Sequence, residues 1–302
     1  MDNAHEKSHQ AHETLIESMV EKNRDKILSI IQNKESIGYK LNLISLNLLN
    51  PFLDNKEQWL TIGDYNGLEA NYLEDKVGRV VASDISDAML AAAQSEGLIK
   101  EYKKINVEAI DLPDNSFDYV LCREAFHHFP RAYQGLYEMI RVSKKATIML
   151  EPLDILNRMP LLVMLKNICD WFHPFLIDKI WKNRFSWEYV GNFVFKISER
   201  EVEKMAMGIA LPCVAFKPIN ILLETDVESK YNGLATVADK QKQYDKLMRK
   251  MWFRNLLCNL KLIPHNMLMS IIFKERPSEK CIADMKAMGY TFMDLPKNPF
   301  LK

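Results

Sequence analysis

Residues 59–67 read WLTIGDYNG. Trp59 to Ile62 are good strand formers, and Gly63 and Gly67 punctuate the turn that follows. Outward from this stretch the same pattern recurs, in GRVVAS at 78–83, FDYVLC at 117–122 and KATIML at 145–150, with helix-like segments between the runs. Short β-rich runs alternating with helical patterns predict an α/β fold with a doubly wound parallel sheet. PCVAFK at 212–217 and LMSIIFK at 268–274 read as two later strands. A charged, helical-looking stretch, 218–266, lies between them.

Before the first strand, Leu15, Met19, Val20, Ile27, Ile30 and Ile31 recur at helical spacing over 11–34, and 41–53 reads as a second helix. Ser86 is placed to cap a helix that reaches Glu96 and stops at Gly97. Ser198-Glu199-Arg200-Glu201 has the form of a capping box. The boundaries suggested are an N-terminal helical cap at 1–57, a Rossmann-like core at 58–152, and helical insertions with the last strands and a C-terminal extension at 153–302.

Composition narrows the function classes. The 302 residues are 48% hydrophobic, enough for a sizeable core, and 40 basic residues balance 40 acidic ones, so no global field attracts a polyanion and no nucleic acid partner is expected. Five cysteines without a CxxC pair suggest neither a disulfide framework nor a zinc knuckle. The polar N-terminus lacks the apolar core of a signal peptide, and the apolar stretch 159–177 is interrupted by Lys166, Asn167, Asp170 and His173, so a cytoplasmic protein without a transmembrane segment is expected.

Gly63 and Gly67 stand where the first strand-to-helix turn of such a sheet approaches a nucleoside cofactor, and Asp84, after the second strand, is placed to bind a ribose diol. The dinucleotide fingerprint GxGxxG asks for glycine at positions 65 and 68 as well, where this chain has Tyr65 and Leu68. A GxGxG turn fails only at Tyr65. A β-carbon there obstructs the close approach of a pyrophosphate, so the spacing counts against a nicotinamide cofactor.

Together, Gly63–Gly67, SDISDAML at 83–90, NVEAIDLPDNSFDYVLC at 106–122, EAFHHF at 124–129 and RVSKKATIMLEP at 141–152 resemble a class I S-adenosylmethionine-dependent methyltransferase of the type 11 group. The resemblance covers about 95 residues, Trp59 to Pro152. It implies a Rossmann-like sheet of seven strands in the order 3-2-1-4-5-7-6 with strand 7 antiparallel, and S-adenosyl-L-methionine as cofactor. Carried over by position, Gly63, Asp64 and Gly67 line the methionine half, Asp84 binds the ribose and Ile85 packs on adenine. Asn106 and the Val107 backbone read the adenine edge, and Glu124 and Ala125 lie beside the methionine moiety. The chain departs from the pattern at Thr61, where the family carries an acid, so Asp64 or Glu69 is the expected substitute.

Methyl transfer chiefly requires the acceptor to be held in line with the departing sulfur, and a hydroxyl acceptor also benefits from a general base. His127, His128 and Glu151, at the ends of the fourth and fifth strands, are the candidates; no spacing in the sequence supports a metal site. The segment 153–189, rich in Leu, Ile, Phe and Trp, reads as a lid over an apolar acceptor, as extra core, or as a partner-facing amphipathic surface, and peripheral membrane contact stays open. Its Lys166, Lys179, Lys182 and Arg184 suit either a phosphate-bearing acceptor or a solvated face. EPLDILNR at 151–158 and the close of the chain, 273–300, resemble methyltransferase-like proteins of bacterial surface-polysaccharide synthesis. That likeness implies a sugar, nucleotide-sugar or lipid-linked glycan hydroxyl as acceptor. The competing reading is a catalytically silent binding or scaffold protein.

Overall fold

The computed structural model describes residues 4–155, 159–173, 176, 186–222 and 237–300. Lys179, Lys182 and Arg184 lie outside them. An N-terminal helix α1 (Ala4–Gln32) is followed by α2 (Ile37–Leu46) and a 3-10 turn at Asn47–Phe52. Ser36 opens α2 as its N-cap, its hydroxyl accepting the Tyr39 N–H. α1 begins seven residues before the apolar periodicity does. Its first turns are polar, and His9 and His12 there meet acidic side chains of the body.

The sheet then builds from β1 (Gln58–Ile62), α3 (Leu68–Glu74), β2 (Arg79–Asp84), α4 (Ala88–Ser95), β3 (Tyr102–Lys104), β4 (Phe117–Arg123), α5 (Ala132–Val142) and β5 (Ser143–Pro152). After it come α6 (Pro160–Phe172), α7 (Glu199–Gly208), β6 (Cys213–Ile219), α8 (Val237–Asn259), β7 (Met267–Phe273), α9 (Glu279–Ala287) and β8 (Thr291–Asp294). Among the described residues one sheet forms, in the order β3-β2-β1-β4-β5-β7-β6-β8. The first five strands are parallel, and β7 runs antiparallel to both β5 and β6.

The expected seven strands are therefore in place, and β8 is an addition that pairs antiparallel with Cys213–Phe216 of β6. Gly289, at φ +84, lets the chain turn from α9 into that short edge strand. Ser198 and Glu201 form the capping box of α7 with both reciprocal bonds. The helix after β2 opens at Asp87 rather than Ser86, and the Ser86 N–H donates to the Asp84 carboxylate.

Burial explains the layering. Trp59 packs in the cluster on one face of the sheet and Leu60 in the cluster on the other, the alternation a strand imposes when both faces are covered. Trp59 stacks on Tyr119 of β4 at 4.7 Å between ring centroids, a pairing worth about 1 kcal/mol beyond its buried area. α6 is different: Leu161, Met164, Ile168, Trp171 and Phe172 are exposed along it, and Cys169 is its only buried residue.

Candidate active site

β1 continues to β2 on one side and is flanked by β4 on the other, so the strand order reverses between β1 and β4. Ligands of open α/β sheets bind beyond the carboxyl ends of the strands at such a point. Gly63 leaves β1 with φ +67, and a β-carbon on it would stand 2.3 Å from the Ala125 Cβ. The turns after β1 and β4 thus touch at this glycine. Gly67, at φ +80, serves packing as well, since a β-carbon there would lie 2.9 Å from Ile99 Cγ2.

Asp64 faces inward. Its carboxylate accepts the Thr61 hydroxyl at 2.8 Å and the N–H groups of Glu69 and Ala70 at 3.2 and 2.9 Å, so it holds the start of α3. Thr61, where the family pattern has an acid, thus bonds through its hydroxyl to the carboxylate three residues on. Arg123, at the end of β4, is ion-paired to Glu69 and to Glu124, the latter at 2.7 Å. Burial and the neighbouring Glu69 raise Asp64 well above the usual carboxylate range, whereas at Glu69 burial is opposed by the Arg123 guanidinium together with the hydrogen bond from Asp64, and the balance holds the pKa down. Glu124 has φ +57, an uncommon conformation for a side-chain-bearing residue and a mark of a constrained loop.

Asp84 ends β2, and burial raises its pKa to about 6. Tyr65 carries a buried hydroxyl with no hydrogen-bond partner, and burial and the charge of Asp84 push it up to about 12. Ile85 is half-buried next to Asp84. Beyond β3, Val107 is buried, while Asn106 accepts the Glu108 N–H at 3.0 Å and lies 3.5 Å from His9 Nδ1 of α1. Glu108 is gripped by Arg131, through its N–H at 2.7 Å and its Nε at 2.6 Å, and by His9 at 3.2 Å. Burial opposes ionisation there, but these partners bring the pKa down to about 2.

The two histidines after β4 part company. His127 Nδ1 lies 2.6 Å from Glu151 Oε2, and the other oxygen of that carboxylate accepts the N–H groups of Ala125 and Phe126, each at 2.9 Å. Glu151 is fully buried, so it orients the loop and the imidazole rather than meeting an acceptor. Burial lowers the His127 pKa, but the hydrogen bond and charge of Glu151 outweigh it and leave it raised. His128 turns away to Glu188, at 2.8 Å. Asn192, in the turn bridged by Trp187 and Phe193, donates to the His127 carbonyl at 3.1 Å and ties that turn to the site.

Residues 60–150 match the family described as Methyltransferase domain. This segment is a class I methyltransferase domain. The uncharacterized methyltransferase YcgJ of Bacillus subtilis is 28% identical over 75 residues, 24% of this chain. That likeness spans only 30% of the relative's length. The crystal structure of YcgJ aligns at 21% identity over 78% of this chain and 99% of that one, with a TM-score of 0.46. A SAM-dependent methyltransferase of Aquifex aeolicus aligns at 24% identity over 36% and 64% of the two chains, with a TM-score of 0.31. Magnesium protoporphyrin IX methyltransferase of Synechocystis, solved with bound S-adenosylhomocysteine, aligns at 12% identity over 77% and 81%, with a TM-score of 0.43.

The cofactor of the methyltransferase domain is S-adenosylmethionine. The residues present fit it. A buried carboxylate at the end of β2, with the partnerless Tyr65 hydroxyl close enough to feel its charge, suits a ribose diol that would satisfy both. Arg123, Glu108, Glu188, His9 and His12 contact candidate site residues, yet sequence reading passes over them. For Arg123 a signal existed, an arginine ending the apolar strand FDYVLC; for residues brought in from α1 there was none. Lys166 of α6 is paired with Asp170 at 2.5 Å. No helix among the described residues is long and apolar enough to cross a membrane.

Proposed function

We propose that the protein methylates a hydroxyl of a small carbohydrate or glycan precursor, with His127 as general base. The observation that carries this reading is the buried Glu151 carboxylate on His127 Nδ1 at 2.6 Å. It assigns the Nδ1 proton and leaves Nε2 as the ring's proton acceptor. A hydroxyl needs such a group, whereas a carboxylate acceptor does not.

S-adenosylmethionine supplies an electrophilic methyl group on a sulfonium sulfur when bound. On this reading Asp84 and Tyr65 hold the ribose and Ile85 flanks the adenine. The backbone about Gly63, Glu124 and Ala125 borders the methionine half, with Asp64 and Gly67 shaping the turn. Asn106 and Val107 stand on the adenine side. His127 Nε2 would take the acceptor's proton while the methyl group passes to the acceptor oxygen and its bond to sulfur breaks, leaving a neutral thioether, and Glu151 would steady the imidazolium formed. The exposed apolar row on α6 supports an acceptor with an apolar portion, such as a lipid-linked glycan.

The test is calorimetric titration with S-adenosylmethionine, S-adenosylhomocysteine and NAD, followed by transfer assays on free sugars, nucleotide sugars and lipid-linked sugars. Binding of the first two without NAD, and methylated sugar as product, is the expected result. Cofactor binding with no transfer to any acceptor would favour a silent binding protein.

A further inference from the structure

Three potential metal ligands from segments far apart in sequence converge beside the His127 loop. They are His12 on α1, His128 after β4 and Glu188 in the turn bridged by Trp187 and Phe193. One ligand atom from each lies within 4.8 Å of the other two. His128 Nδ1 is 2.8 Å and His12 Nε2 3.6 Å from the same oxygen, Glu188 Oε2. Arms of about 2.0–2.2 Å to a zinc-like ion leave ligand atoms roughly 2.8–3.6 Å apart, the range in which both imidazole nitrogens already stand from Glu188 Oε2, so side-chain adjustment of the two rings toward each other completes the set.

A second observation concerns orientation. His12 Nδ1 donates to the Ser8 carbonyl of its own helix at 3.1 Å. A carbonyl on the far nitrogen is the support that metal-bound imidazoles usually have, and it leaves the Nε2 lone pair aimed at the cluster. In the neutral ring that lone pair faces a carboxylate oxygen, two acceptors with nothing between them to share.

We propose that His12, His128 and Glu188 bind a divalent transition-metal ion. Two imidazoles and one carboxylate suit zinc, nickel, cobalt, manganese or ferrous ions and are a poor set for calcium or magnesium. With three protein ligands the ion keeps at least one position for water or another oxygen. Structurally it fastens α1 to the loop that carries His127, whose ring centroid is 4.0 Å from that of His128. A further use, holding the acceptor's oxygen beside the base, rests on the methyl-transfer reading; the binding itself does not.

The experiment titrates the full chain, stripped with a chelator, with zinc, manganese and cobalt(II) chlorides, by calorimetry and, for cobalt, by visible absorption. One ion per chain is expected, with micromolar or tighter affinity for zinc and a cobalt spectrum of imidazole ligation. Glu188→Gln and His12→Ala should each weaken zinc binding at least a hundredfold, while His5→Ala, on the same helix, leaves it intact. S-adenosylhomocysteine titration and thermal unfolding of each variant report folding and the cofactor site separately. Absence of stoichiometric binding by the wild type, or zinc binding that survives both Glu188→Gln and His12→Ala, overturns the site. Because neither readout involves transfer, such a failure leaves the methyltransferase reading standing, and a failed transfer assay leaves the metal site standing.

Discussion

Glu151 ends β5 fully buried, and its carboxylate binds His127 through Nδ1 at 2.6 Å while also accepting the backbone N–H groups of Ala125 and Phe126. One side chain therefore fixes both the loop after β4 and the tautomer of its histidine. His127→Ala should lower kcat about 10²–10⁴-fold with little change in S-adenosylhomocysteine affinity, the usual contribution of a general base. Glu151→Gln should lower kcat less and cost stability as well, because the amide cannot accept at every position the carboxylate does. Steady-state kinetics, calorimetry and thermal unfolding on the two variants separate the proposed base from the residue proposed to position it.

If Asp84 holds the ribose as proposed, cofactor affinity should depend on pH. Burial lifts its pKa to about 6, with Glu69 adding to the rise, His128 opposing it, and Tyr65 alongside. The free folded protein therefore binds more protons than the unfolded chain between about pH 4 and 6, and this group's contribution to stability falls as pH rises through that window. Ribose hydroxyls require the ionised carboxylate, so affinity should run the other way. S-adenosylhomocysteine binding is expected to weaken about tenfold per pH unit below 6, and Asp84→Asn should bind weakly with a flat profile.

The Tyr65 hydroxyl is buried without a partner in the free protein, which carries a desolvation cost of roughly 1–3 kcal/mol. Tyr65→Phe should raise the melting temperature of the free protein. If the ribose is what satisfies the hydroxyl, the same change should weaken S-adenosylhomocysteine binding about fivefold or more, near 1 kcal/mol. Stabilisation without loss of affinity would show that the tyrosine only shapes the rim.

What could be read from the sequence follows from how local each signal is. The buried strands β1, β2, β4 and β5 announce themselves as β-rich runs, and the glycine turn as Gly63 and Gly67, because both depend on neighbours in the chain. β3, three residues long, and β8, four, are too short to carry a pattern, and their place is set by the sheet they extend. The methyltransferase family was legible through five segments in order. The different partners of His127 and His128 were not, since Glu151 and Glu188 are distant residues that only the fold brings beside them. His12 is the extreme case: on its own helix it looks like one more polar residue of the solvated face.

Gly63 and Ala125 offer a test of how the crevice is built. Gly63→Ala combines a left-handed backbone, φ +67, with a β-carbon 2.3 Å from the Ala125 methyl. The conformational part costs about 1 kcal/mol and the overpacking typically another 1–3, so a loss of roughly 2–4 kcal/mol is expected. Ala125→Gly removes only the clash. In the double variant the steric part should return while the backbone part remains, giving a coupling of about 1–3 kcal/mol in denaturant unfolding. Additive losses would instead mean that the turns after β1 and β4 relax independently, and that the crevice at the β1/β4 switch point is not held by their contact.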